Sequence, residues 1–180
     1  MMEIDFESTR QKYRPERIKF LLIAEAPPKV ESKRFFYFED VQRGDSLFWE
    51  TMKVLYPDDC SNIKTVRQRK REFLERFQKD GFYLIDATDA PIEDTRPGKK
   101  EKQIKKSLPS LIEKVRSLAS EDTNIILISS TVYNVVATSL KSKGFNVINE
   151  DMIPFPGSGG QAKFRKKMSA LLKKYGRRNK

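Results

Sequence analysis

The chain contains no histidine, and of its 180 residues only Cys60 is a cysteine. Without imidazole, a Ser-His-Asp triad and His-ligated zinc are both excluded. One cysteine can build neither an intramolecular disulfide nor a Cys-ligated cluster from this chain alone, which reads as a protein of a reducing compartment. Also missing is any apolar run of the roughly 18 residues a membrane span needs, and the amino end lacks an apolar signal core. The expectation is a cytoplasmic protein with no membrane partner. Carboxylates, hydroxyls, Lys, Tyr and backbone groups are left to carry any chemistry.

Positive charge is plentiful. Lys and Arg number 36 against 25 Asp and Glu, a net +11. Such an excess favours anionic partners, nucleic acid first among them, although a well-solvated basic surface has the same composition. The length fits one domain over 1–180, expected as a monomer with a basic tail from about 173 to 180.

Arg17 to Pro28 (RIKFLLIAEAPP) is an apolar run from Ile18 to Ala24 broken only by Lys19, then an acid-bearing turn stopped by two prolines. It predicts a strand covered on both faces. The loop that follows carries four ring residues in succession, Phe35 to Phe38, too many for a solvated segment. Asp45 or Ser46 is placed to cap a helix bearing Leu47, Phe48, Met52 and Leu55. A second helix is predicted from about Thr65 to Lys79, ended by Gly81. Strands are predicted again at Phe82 to Ala87, Asn124 to Ser129 and Phe145 to Ile153. The charged stretch from Glu93 to Lys106 leads into a helix that Pro109 should kink or restart. Further helices are predicted through Val132 to Leu140, closing at Gly144, and from Phe164 to Tyr175.

Strands alternating with helices imply parallel pairing through right-handed crossovers. The predicted architecture is a three-layer α/β/α sandwich around a central four-stranded parallel sheet. Ligands in such open sheets bind at the carboxyl ends of the strands, so the turns there are the places to look.

Three of them carry candidate groups. Glu25, on its proline-stiffened turn, can orient a water or stabilise developing positive charge, or simply cap a helix or pair with a surface cation. Asp86 and Asp89, after the second predicted strand, can accept hydrogen bonds from a ligand or cap their own turn. The Pro156-Gly-Ser-Gly-Gly-Gln161 turn opens the last helix, whose free amides suit a phosphate. It lacks the Lys-Ser/Thr ending of a Walker A loop. Nine Lys and Arg and no acid lie between Lys163 and Lys180.

Glu25-Ala-Pro after an apolar first strand resembles the G-E-A-P-G motif of family 4 uracil-DNA glycosylases. Asp86 to Pro91 stands where that family has N-V-V-K-C-R-P, and Pro154 to Ser158 where it has H-P-S; the order of elements is similar over nearly the whole chain. The resemblance implies a uracil-DNA glycosylase-like fold and hydrolysis of the N-glycosidic bond of a damaged or deaminated base flipped out of DNA, duplex or single-stranded, with no cofactor and no metal. It assigns Glu25 to the attacking water, Phe36 or Tyr37 and Asp86 to the base, and Ser158, Gly159, Gly160 and Gln161 to backbone phosphate. Three departures stand out. The family's motif histidine is replaced by Phe155 or Pro156, its four cluster cysteines are missing, and Asp86 replaces the asparagine that reads uracil. An ionised Asp only accepts hydrogen bonds, so a base with an exocyclic amine suits it better than uracil. The alternatives are a catalytically silent nucleic-acid-binding module of this fold and a hydrolase of small nucleotides.

Overall fold

The computed structural model describes residues 5–176. Three strands, β1 (Phe20–Ala24), β2 (Phe82–Asp86) and β3 (Asn124–Leu127), form a parallel sheet in the order β2-β1-β3. Every residue of the three strands is buried, as expected of a parallel sheet covered on both faces. Among the described residues seven α-helices accompany them: α1 (Phe6–Gln11), α2 (Ser46–Leu55), α3 (Ile63–Gln68), α4 (Lys70–Lys79), α5 (Lys99–Leu118), α6 (Ser130–Ser142) and α7 (Gln161–Gly176). Helix α5 packs on α6, α2 on α7, and α4 against β2. The protein is therefore α/β with a three-stranded parallel sheet.

The predicted fourth strand is reduced to two isolated parallel bridges, Ile125 with Val147 and Ile128 with Ile153. Asn149 takes the place of a strand between them. Its Oδ1 accepts from the Leu127 amide at 3.0 Å and its Nδ2 donates to the Leu127 carbonyl at 3.1 Å. A side-chain amide thus replaces a peptide unit at the β3 edge, while Glu150 to Met152 run outward.

The opposite edge is finished the same way. The Tyr37 hydroxyl accepts from the Leu84 amide at 2.7 Å and donates to the Leu84 carbonyl at 3.0 Å. At each edge one residue, Leu127 and Leu84, has both backbone groups met by a side chain, which reduces the unpaired groups that make open edges prone to association.

The helix predicted over Thr65 to Lys79 divides at Arg69 into α3 and α4, and Gly81 adopts the left-handed conformation (φ 84°) expected of it. Pro109 neither kinks α5 into two nor restarts it; one helix runs from Lys99 to Leu118. Residues 173–176 of the predicted tail belong to α7, and 177–180 lie outside the described residues. Among the described residues no helix is long and apolar enough to cross a membrane.

Candidate functional site

The paired register brings Ala24 level with Asp86 at the carboxyl ends of β1 and β2. The ladder continues past the strands, with the Ala87 amide donating to the Ala24 carbonyl and the Thr88 amide to that of Glu25. Directly beyond this edge lies a cavity of about 520 Å³. Ala24, Leu84 and Asp86 form its floor. Phe35, Phe36 and Phe48 line its side, Phe155 reaches in from the turn before α7, and Arg34, Ser158 and Gln161 stand at the mouth.

Side-chain alternation along β1 decides which groups face this space. Ala24 and Ala26 line it, whereas Glu25 between them does not and lies instead against α5, its carboxylate paired with Lys100 at 3.1 Å. Of the groups assigned to the attacking water and to phosphate, Ser158 lines the cavity, whereas Glu25 sits beside it, held by a cation. Asp89 also faces α5, pairing with Lys114.

Of the two rings assigned to stacking, Phe36 lines the cavity and Tyr37 does not. Tyr37 is fully buried, its hydroxyl committed to Leu84. Burial pushes its pKa well above the ordinary tyrosine value. The Tyr37 assignment is replaced by a structural one. Phe35, Phe36 and Tyr37 are buried and Phe38 is partly so, with Phe36 edge-on to Phe48 at a centroid distance of 5.6 Å.

Asp86 is the floor's charged group. Its Oδ2 accepts from the Arg10 guanidinium at 2.9 Å, with both side chains buried. Burial pushes the Asp86 pKa up to about 6, with Arg10 opposing the rise. On Arg10, burial works against the charge, but Asp86 and Glu7 outweigh it and its pKa is raised. Arg10 was not anticipated, because a six-residue helix is too short for a periodic signal. Its one sequence cue was Asp5, whose side chain accepts from the Glu7 amide and caps α1.

Asp45, also on the cavity wall, occupies the N-cap position of α2 without capping it. Both of its oxygens are taken by Arg67, at 2.6 and 3.0 Å. Close to it Lys70 is buried, its Nζ 4.4 Å from the Phe48 ring centroid and without a hydrogen-bond partner among the described residues. Burial lowers its pKa to about 7.

The glycine turn is built to lie close. A Cβ on Gly160 would meet the Phe155 carbonyl at 2.4 Å, so only glycine fits there, and Gly159 has φ 79°. Of the four residues assigned to phosphate, Ser158 and Gln161 line the cavity and the two glycines shape the turn between them. The first amides of a helix have no intrahelical acceptor and stay available to an anion. Comparison of the chain with known protein families, curated proteins and solved structures finds no match.

Proposed function

We propose that the protein binds DNA, takes one base out of the strand into the cavity at the ends of β1 and β2, and hydrolyses its N-glycosidic bond as a uracil-DNA glycosylase-like enzyme. The observation that supports this reading is convergence: Phe36, Asp86, Ser158 and Gln161 come from separate segments and line one space. At about 520 Å³ that space is within the range of small-ligand sites, roughly 300–1,000 Å³, and suits a base with its sugar. The exposed Phe155 offers a ring for stacking, and the buried Phe36 contributes apolar lining. Asp86 offers an acceptor, and the Ser158 turn with Arg34 offers phosphate contacts at the mouth. The charge of +11 supplies salt-sensitive affinity for the backbone.

In the hydrolysis, water oxygen bonds to C1′ as the C1′–N bond breaks, and the bonding pair leaves with the base. Glu25 is the carboxylate assigned to orient that water and accept its proton. To reach the sugar it must leave Lys100 and turn towards the cavity, and a DNA phosphate is a competing anion for Lys100. The pairing of Glu25 with Lys100 outside the cavity lining favours a second reading, a module that binds an extruded base without cleaving it.

A release assay separates the two. Duplexes carrying uracil, hypoxanthine, xanthine or an alkylated adenine, and the corresponding free nucleotides, are incubated with the wild-type chain and with Glu25→Ala. The glycosylase reading predicts release of at least one base, reduced roughly 10²-fold or more in the variant, as for loss of a general base. Binding without release in every duplex establishes the silent module, and turnover of free nucleotides alone establishes a nucleotide hydrolase.

A further inference from the structure

The acceptors around the cavity are not equally available. Both oxygens of Asp45 are occupied by Arg67. The Leu84 amide and carbonyl are occupied by Tyr37, and the Glu25 carboxylate is held by Lys100. Asp86 differs from all of these. Its side chain is buried to 6% exposure and its Oδ2 is held by Arg10. Oδ1 accepts no hydrogen bond from the described residues, yet it is not among the polar atoms sealed from solvent without a partner. The floor thus carries a carboxylate fixed through one oxygen, with no described residue donating to the other.

We propose that Asp86, fixed by Arg10, makes the cavity selective for a heteroaromatic base bearing an exocyclic amine, so that cytosine- or adenine-type rings are retained and their keto counterparts rejected. The inference deepens the function proposed above and rests on the cavity being a base site. An ionised carboxylate can only accept hydrogen bonds. An amine donates to it, whereas a ring carbonyl in the same place leaves two acceptors face to face, with nothing to compensate the hydration they lose on binding. Arg10 acts as a positioning residue: it fixes the carboxylate through Oδ2 and favours its ionised form against burial. Discrimination between bases by one well-placed polar contact reaches roughly tenfold or more.

The test is calorimetric titration of the full chain at pH 8 with dCMP, dUMP and the N4,N4-dimethyl analogue of dCMP, which keeps the ring and loses both amine donors. Affinity for dCMP is expected to exceed that for dUMP by about tenfold or more, with the dimethyl analogue no better than dUMP. Asp86→Asn, which offers a donor as well as an acceptor, is expected to erase or reverse the preference. Should that variant not fold, the dimethyl comparison on the wild-type chain decides alone. Equal binding of dCMP and dUMP, or of dCMP and its dimethyl analogue, overturns the amine selectivity and leaves the base site standing. Failure of all three to bind overturns the base site and the selectivity with it.

Discussion

Arg10, on a six-residue helix at the amino end of the described chain, donates to Asp86 Oδ2 at 2.9 Å at the end of β2. The pair ties α1 to the cavity floor, and no described residue donates to Asp86 Oδ1. Removing the cation strands a buried carboxylate. Arg10→Met is expected to lower stability by about 3–5 kcal/mol at pH 7.5, the cost of breaking a buried pair from one side. Pairing it with Asp86→Asn should recover much of the loss, and urea unfolding of the two single variants and the double variant measures both effects.

Asp86 also predicts a pH dependence. Its pKa is raised in the folded chain to about 6, against about 3.9 in an unfolded one. Between those values the folded state holds more protons, so this group's contribution to stability is fully present below pH 4 and is lost as pH rises through 6. Asp86 is surrounded by Arg10 from α1, Lys114 from α5 and Asp89 on its own loop. The cost of Asp86→Asn in urea unfolding should therefore shrink from pH 4 to pH 7, by on the order of 3 kcal/mol.

The Tyr37 hydroxyl completes the backbone pairing of Leu84 and does not line the cavity. Tyr37→Phe leaves a buried amide and carbonyl unpaired and is expected to cost about 1–3 kcal/mol. DNA affinity at a temperature where the variant is folded should be unchanged. Phe36→Ala should do the reverse in binding, weakening DNA affinity by about 1–3 kcal/mol if its ring stacks on a base. Fluorescence anisotropy on the two variants separates edge from site.

Lys70 is buried beside Phe48 with its amine unpartnered among the described residues, and burial brings its pKa down to about 7. From pH 7 to about 10.4 the unfolded chain binds more protons, so this group makes the fold more stable as pH rises across that window. Lys70→Met should flatten the rise, on the order of 4 kcal/mol at most, and stabilise the protein below pH 7. Chemical unfolding of both chains at pH 6 and pH 9 gives the comparison.

The three strands could be read from the sequence because each is an apolar run closed by a turn signal, and continuous burial leaves no alternation to blur it. Burial of Phe35, Phe36 and Tyr37 followed from the ring content alone. What could not be read was where side chains substitute for backbone. Asn149 replaces a strand next to Leu127, and Tyr37 satisfies Leu84 from 47 residues away. Neither leaves a periodic trace. The phase of β1 was another such point: Glu25 and Ala24 are neighbours in sequence, but one meets Lys100 on α5 and the other lines the cavity. The turn after β1 located the site, while the assignment of its acid depended on a side-chain direction the composition does not encode.

The measurement that bears most directly on the base site is a crystal structure of the protein with a short DNA duplex carrying a 2′-fluoro-arabino nucleotide, whose glycosidic bond resists hydrolysis. One base is expected to leave the stack and lie in the cavity against Phe36, its edge at Asp86 and its flanking phosphate at the Ser158 turn. DNA bound on another face with the cavity open, or Phe36 and Phe155 closing the space against each other, would contradict it.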